Sequence, residues 1–182
     1  MSLLVLCALP ASGGIPEPSD GLLQCSKGIR AVVDFGCTSS EDFPNGEYDD
    51  ALARAFALSG ENGVSKWGNR AYRHDLDGDS QPEHLVPLWC GATGNCSWAV
   101  LGSKPEQLLG VIWGERLYLY RSNPRGSHVC GHSTAGAGEG YLQRFDIASG
   151  QYKETGAMRL DEASNDRVLS KWGKPHCSKK AP

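Results

Sequence analysis

His74-Asp-Leu-Asp-Gly-Asp-Ser-Gln-Pro-Glu-His-Leu-Val-Pro-Leu-Trp-Cys-Gly-Ala-Thr-Gly-Asn-Cys96 joins an acidic loop to a strand and a turn. Residues 84–89 are rich in strand formers, Gly91–Asn95 supplies turn chemistry, and Ser97-Trp-Ala-Val-Leu continues as a second strand. Cys90 and Cys96 flank the turn. Facing positions of an antiparallel pair hold their Cβ atoms about 4.5–5.5 Å apart, a small adjustment from disulfide distance. A 90–96 bridge is therefore expected, stabilising by about 2.4 kcal/mol on the chain-entropy model. Pro87 cannot donate to a ladder, so this strand is expected at an edge or a bulge.

The same pattern extends outward. Residues 107–113 and 116–121, separated by Gly114-Glu115, read as a second hairpin. Residues 141–147 and 151–155, separated by Ala148-Ser149-Gly150, read as a third. Residues 48–58 predict a helix: Tyr48, Leu52, Ala55 and Phe56 share one face, Asp49 and Asp50 suit its positive N-terminal end, and Ser59-Gly60 stops it. A shorter helix is expected near 161–170. The fold class is thus α+β, an antiparallel meander of about six or seven strands with one main helix and a C-terminal one.

The chain has 182 residues, which suits one domain with a core of its own, taken here as 14–182. A formal charge of −3 argues against nucleic acid as a partner. No apolar run is long enough for a transmembrane helix. Residues 1–13 read as a signal remnant, with an apolar core and small residues at Ala11–Gly13, although the positive leading region is missing; an N-terminal strand is the alternative. Removing Cys7 with that segment leaves Cys25, Cys37, Cys90, Cys96, Cys130 and Cys177. None are spaced C-x-x-C, so disulfide staples in a secreted or periplasmic domain fit better than zinc. Cys25 and Cys37 bracket the strand 29–35 and form a candidate loop bridge.

The acidic half carries the chemistry. Alternating carboxylates in a tight loop can point their oxygens at one hard cation, and unneutralised they repel one another. An EF-hand is excluded: counting from Asp75, position twelve is Val86, and a strand follows instead of a helix. The run Asp75-Leu-Asp-Gly-Asp-Ser-Gln-Pro-Glu-His-Leu-Val86 resembles the calcium-loop repeats of integrin-type β-propellers and bacterial secreted proteins (FG-GAP/VCBS-like). That resemblance implies Ca²⁺ held by the side chains of Asp75, Asp77, Asp79 and Glu83 with the Gln81 carbonyl. Ser80 stands where glycine is usual, and a left-handed backbone there costs about 1 kcal/mol. Too few strands are present to close a propeller, so the likeness ends at the loop. The alternatives are a solvated acidic turn and a transition-metal site using His74 or His84.

His128-Val-Cys-Gly-His132-Ser-Thr-Ala-Gly-Ala-Gly-Glu-Gly140 is the second stretch of interest, read as a mobile loop over the sheet. Its glycines oppose a helix, and no helix pattern follows them to make a phosphate cradle. No nucleophile elbow or zinc-protease helix is present, and no catalytic residue is assigned. The expectation is a secreted, calcium-stabilised, non-catalytic binding or envelope-associated domain whose partner is an extracellular protein or glycan. The alternatives are a small extracellular hydrolase using His128, His132 or Glu139, with Cys130 as nucleophile only if its thiol is free, and an inhibitor of an extracellular enzyme.

Overall fold

The computed structural model describes residues 25, 28–38, 49–60, 70–104, 107–120, 128–172 and 174–175. In chain order these form β1 (Ile29–Asp34) with a 3-10 turn at Phe35–Cys37, then α1 (Asp49–Ser59), β2 (Tyr72–His74) and β3 (Glu83–Cys90). There follow β4 (Cys96–Leu101), β5 (Leu108–Gly114), β6 (Arg116–Tyr120), β7 (His128–Gly136), β8 (Glu139–Ala148), β9 (Gln151–Leu160) and α2 (Glu162–Lys171). The strands make two antiparallel sheets, of order β2-β3-β4-β5 and β1-β6-β7-β8-β9.

Strand periodicity distributes the side chains among layers. Along β4, Cys96, Trp98 and Val100 face the other sheet, while Ala99 and Leu101 face α1 with Ala51 and Ala55. Both faces are covered, so all six β4 residues are buried and the strand shows no polar alternation. Along β6, Leu117 and Leu119 enter the inter-sheet core. Tyr118 and Tyr120 face outward into a cluster with Cys25, Cys130, Leu160 and Val168 of α2. The order of layers is α1, four-stranded sheet, five-stranded sheet, α2. Asp161 caps α2, its side chain accepting from the Ser164 N–H at 2.8 Å, an arrangement worth about 1 kcal/mol. Trp98 is fully buried at the centre, and its indole N–H donates to the Gly114 carbonyl at 2.9 Å.

The α+β class, both helices and the first hairpin follow the sequence reading. The Cys90–Cys96 bridge is present, its residues paired across β3 and β4. Pro87 lies on an inner strand beside a bulge between Pro87 and Trp89, which meets the bulge half of that expectation. Three expectations are corrected. Residues 107–121 are not a hairpin: β5 and β6 belong to different sheets, and Gly114-Glu115 is the corner between them. Residues 128–140 are not a mobile loop but β7 and the turn into β8. Cys25 bridges Cys130 rather than Cys37. Cys37 is also disulfide-bonded, to a partner outside the described residues. The strands number nine among the described residues because β2 and β7 carry no strand pattern of their own. The segment 1–13, Tyr48 and Cys177 lie outside the described residues.

The glycines that disguise β7 are close-approach positions. A Cβ at Gly131 would sit 1.8 Å from the Trp113 carbonyl oxygen of the opposite sheet. Replacing Gly131 with Ala is therefore expected to destabilise the fold by more than about 2 kcal/mol, because the obstruction is backbone and cannot swing aside. Urea unfolding of the oxidised variant measures this.

Candidate metal centre

The acidic loop joins β2 to β3 and is held by its one apolar residue. Leu76 is 1 % exposed and belongs to the inter-sheet core, an anchor worth about 1.5–3 kcal/mol. Burying Leu76 brings its backbone N–H to Glu83 Oε2, at 2.6 Å. Glu83 opens β3 opposite His74 and is 3 % exposed. The remaining carboxylates accept from the loop's own backbone. Asp75 takes the N–H groups of Gly78 (2.6 Å) and Ser80 (3.2 Å), and Asp77 takes that of Asp79 (3.0 Å). Asp79 takes that of Gln81 (2.7 Å). These side-chain turns fix a tight coil that the backbone could not hold alone. Ser80 has φ 69°, the left-handed conformation for which glycine is the ordinary residue.

Within this coil, one oxygen from each of Asp75, Asp77 and Glu83 lies within 4.8 Å of the others. Oxygens bound to a single Ca²⁺ at about 2.3–2.6 Å can be at most about 5 Å apart, so the three fit around one ion. Asp79 does not join them, and neither do His74 and His84. Three of the five expected ligands are thus brought together, while Gln81 is exposed with its N–H engaged by Asp79. Burial pushes the Glu83 carboxyl up to about 7, opposed by the Leu76 N–H and reinforced by Asp77 and Asp79. An all-oxygen set of this kind suits a hard cation, which would supply the missing positive charge.

Several polar residues near β7 make structural bonds. Asn95, in the β3–β4 turn, donates to the Thr134 carbonyl at 2.7 Å and accepts its N–H at 2.9 Å, tying that turn to β7. The Thr134 hydroxyl donates to Glu115. Glu139 pairs with Arg159 at the surface. His132 is fully buried, with Nε2 2.6 Å from Asn165 Oδ1, and the Asn165 amide donates to the Gly138 carbonyl at 2.9 Å. His128 stacks on Tyr120, ring centres 4.1 Å apart. Cys130 is in a disulfide, so it offers no thiol nucleophile. The Asn95 and Asn165 bridges have no signal in the sequence beyond a turn residue and a helical asparagine.

Comparison with family models, curated proteins and solved structures finds no match. The role of the centre rests on its own chemistry.

The His132 network makes a pH-dependent prediction. Because the Asn165 amide donates to Gly138, its oxygen faces His132, which must donate from Nε2 and leave Nδ1 bare. Burial holds the ring's pKa below its ordinary value and Arg116 adds to this, with the Asn165 bond and Glu115 opposing. The unfolded chain therefore takes a proton near pH 6.5 that the folded chain refuses, and stability falls as pH drops below that point. One such proton is worth up to about 1.4 kcal/mol per pH unit. Burial lowers His74 and His128 as well, with the same sign. Nitrogen NMR at pH 6 should show His132 neutral with its proton on Nε2; a cationic ring there contradicts the assignment.

Proposed function

We propose that this chain is an extracytoplasmic, disulfide-stapled binding domain stabilised by one Ca²⁺ in the β2–β3 loop. The observation that carries the metal reading is the convergence of Asp75, Asp77 and Glu83, one of them buried. Leaving three carboxylates so close is unfavourable without a counter-charge. A Ca²⁺ supplies it and accepts the irregular oxygen geometry of a self-capped loop. Asp79 lies near enough to Glu83 to raise its pKa, so it adds negative potential to the site. The ion's contribution here is stability: it closes the loop that orders the start of β3 and so holds the edge of the four-stranded sheet.

Extracytoplasmic placement is supported by two disulfides, one joining Cys25 to Cys130 and one joining Cys90 to Cys96. Such bonds persist in oxidising compartments. None of the described helices is long and apolar enough to cross a membrane.

Thermal melting in Ca²⁺, Mg²⁺ and chelator tests the proposal. Ca²⁺ at a hundredfold excess over its Kd should add about 2.7 kcal/mol, and Mg²⁺ less because it demands tighter octahedral geometry. Asp77→Ala should abolish the gain. Glu83→Gln keeps an acceptor for the Leu76 N–H while removing charge, so it should lose the Ca²⁺ gain yet melt no lower than wild type in chelator. Identical wild-type melts in Ca²⁺ and chelator would reduce the site to an acidic turn.

A further inference from the structure

Helix α2 is held to the five-stranded sheet by few side chains. Of its ten residues, Asn165 and Val168 are buried and the rest lie half or fully open to water. Just past its end, Trp172 meets Tyr118 edge-on, ring centres 5.2 Å apart. Val168 and Trp172 close over an apolar cluster that includes Tyr118, Cys130, Leu142 and Leu160. An element with one buried apolar side chain belongs to the low-stability end of a fold, able to open while the inter-sheet core stays closed.

The first half of α2 is fastened by a polar clamp instead. His132 Nε2 donates to Asn165 Oδ1 at 2.6 Å, and the Asn165 amide donates to the Gly138 carbonyl at 2.9 Å. Two glycines admit the helix to that distance. A Cβ at Gly140 would collide with Asn165 Oδ1 and lie 3.0 Å from His132 Nε2, and one at Gly138 would lie 2.9 Å from Glu162 Cγ. The imidazole enclosed in this way is fully buried.

From this clamp we propose that α2 is an acid-released latch, which lifts from the β7–β8 turn when His132 takes a proton. The proposal rests on neither the metal nor the binding role above. A proton can enter the ring only at Nδ1, because Nε2 already carries one toward Asn165. Nδ1 is buried and meets no protein acceptor. Arg116, opposite His132 on β6, repels a cation there. Glu115 at the corner attracts it, yet already accepts from the Thr134 hydroxyl. From β8 the facing residues are Leu142 and Gly140, neither of them charged. From α2 it is the neutral Asn165, while Asp161, Glu162, Asp166, Arg167 and Lys171 are exposed. Glu139 is paired with Arg159 at the surface.

A cation enclosed in that setting is unfavourable, and lifting the helix gives the ring back to water. Burial keeps the ring neutral while α2 is closed, and release returns it to its ordinary value of 6.5. Each pH unit below that point then favours the open helix by about tenfold. Near neutrality α2 closes over Tyr118, Leu142 and Leu160, and in mildly acid surroundings it uncovers them.

Hydrogen exchange of the full, oxidised chain between about pH 7.5 and about pH 5 tests the latch. Protection factors, which divide out the chemical pH dependence of exchange, should fall at residues 165–172 by about tenfold per pH unit below 6.5. Those of β4 and β5 should hold steady. His132→Gln keeps a donor for Asn165 but takes no proton, so α2 protection should become independent of pH. His74 and His128 titrate with the same sign, and this variant separates them from His132. Asn165→Asp sets a carboxylate against the ring's proton, so protection of α2 should rise as pH falls. A merely structural clamp would weaken α2 in both variants and leave its pH dependence unchanged, which overturns the proposal. Wild-type α2 protection constant across the range, or a loss shared equally by β4 and β5, overturns it too. If His132→Gln fails to fold, the reversed pH dependence of Asn165→Asp decides alone.

Discussion

Backbone touches backbone where the two sheets meet, and the rest of the fold is arranged around that contact. Gly131 of β7 passes the Trp113 carbonyl of β5, and Gly110 of β5, at φ 147°, passes Tyr152 of β9 closely enough that a Cβ would lie 2.8 Å from its carbonyl. Side chains ordinarily hold packed sheets about 10 Å apart. At these points none intervenes, so the sheets converge along β5. Convergence explains how the chain leaves one sheet and enters the other through Gly114 and Glu115 without a loop. The large side chains, Trp98, Phe145 and Tyr152 among them, fill the space beside the contact. Phe145 lies within 3.4 Å of where a Gly131 Cβ would be, so the same glycine serves both backbone and ring.

A convergent pair of sheets leaves polar groups stranded at its corners, and asparagines are the repair. Asn95 offers an acceptor and a donor to the backbone of Thr134, acting as a short piece of strand where none can pair. Glu115 N–H donates to the His132 carbonyl at 2.7 Å across the same corner. On the outer face, Asn165 reaches from α2 to His132 and the Gly138 carbonyl at once. Buried polar atoms cost about 1–3 kcal/mol each when left unpaired, so these side chains matter more than their exposed neighbours. They are also why His128–Gly140 is structural over most of its length.

Local chemistry was legible in the sequence and inter-sheet chemistry was not. The helices announced themselves through periodicity and the acidic N-terminal turn, and the 90–96 hairpin through its cysteines and turn. The β8–β9 turn, with Ser149 and Gly150 both at positive φ, was readable from Ala-Ser-Gly alone. What failed depended on partners distant in sequence. Glycine at 131 reads as a loop residue until the Trp113 carbonyl is placed against it. Gly114-Glu115 looks like a hairpin turn because nothing local says that its two strands face different partners. In the acidic loop, Asp75, Asp77 and Glu83 come together, while Asp79 accepts from the Gln81 N–H two residues on. Burial of Glu83 follows from Leu76 entering the core, and that too is a tertiary fact.

The Cys25–Cys130 bond has a bearing on how the molecule is made. Three other cysteines, Cys37, Cys90 and Cys96, lie between its ends in the chain. Along the chain Cys25 and Cys37 come long before Cys130, and during oxidation the nearest thiol is the easiest one to capture. Joining 25 to 37 would leave Cys130 without its mate under α2. The native pairing thus requires that early thiols stay open, or that a wrong link be undone by thiol–disulfide exchange. Cys90 and Cys96, consecutive among the cysteines, face no such detour. The molecule therefore combines a bond that its own hairpin can direct with one that waits for the second sheet.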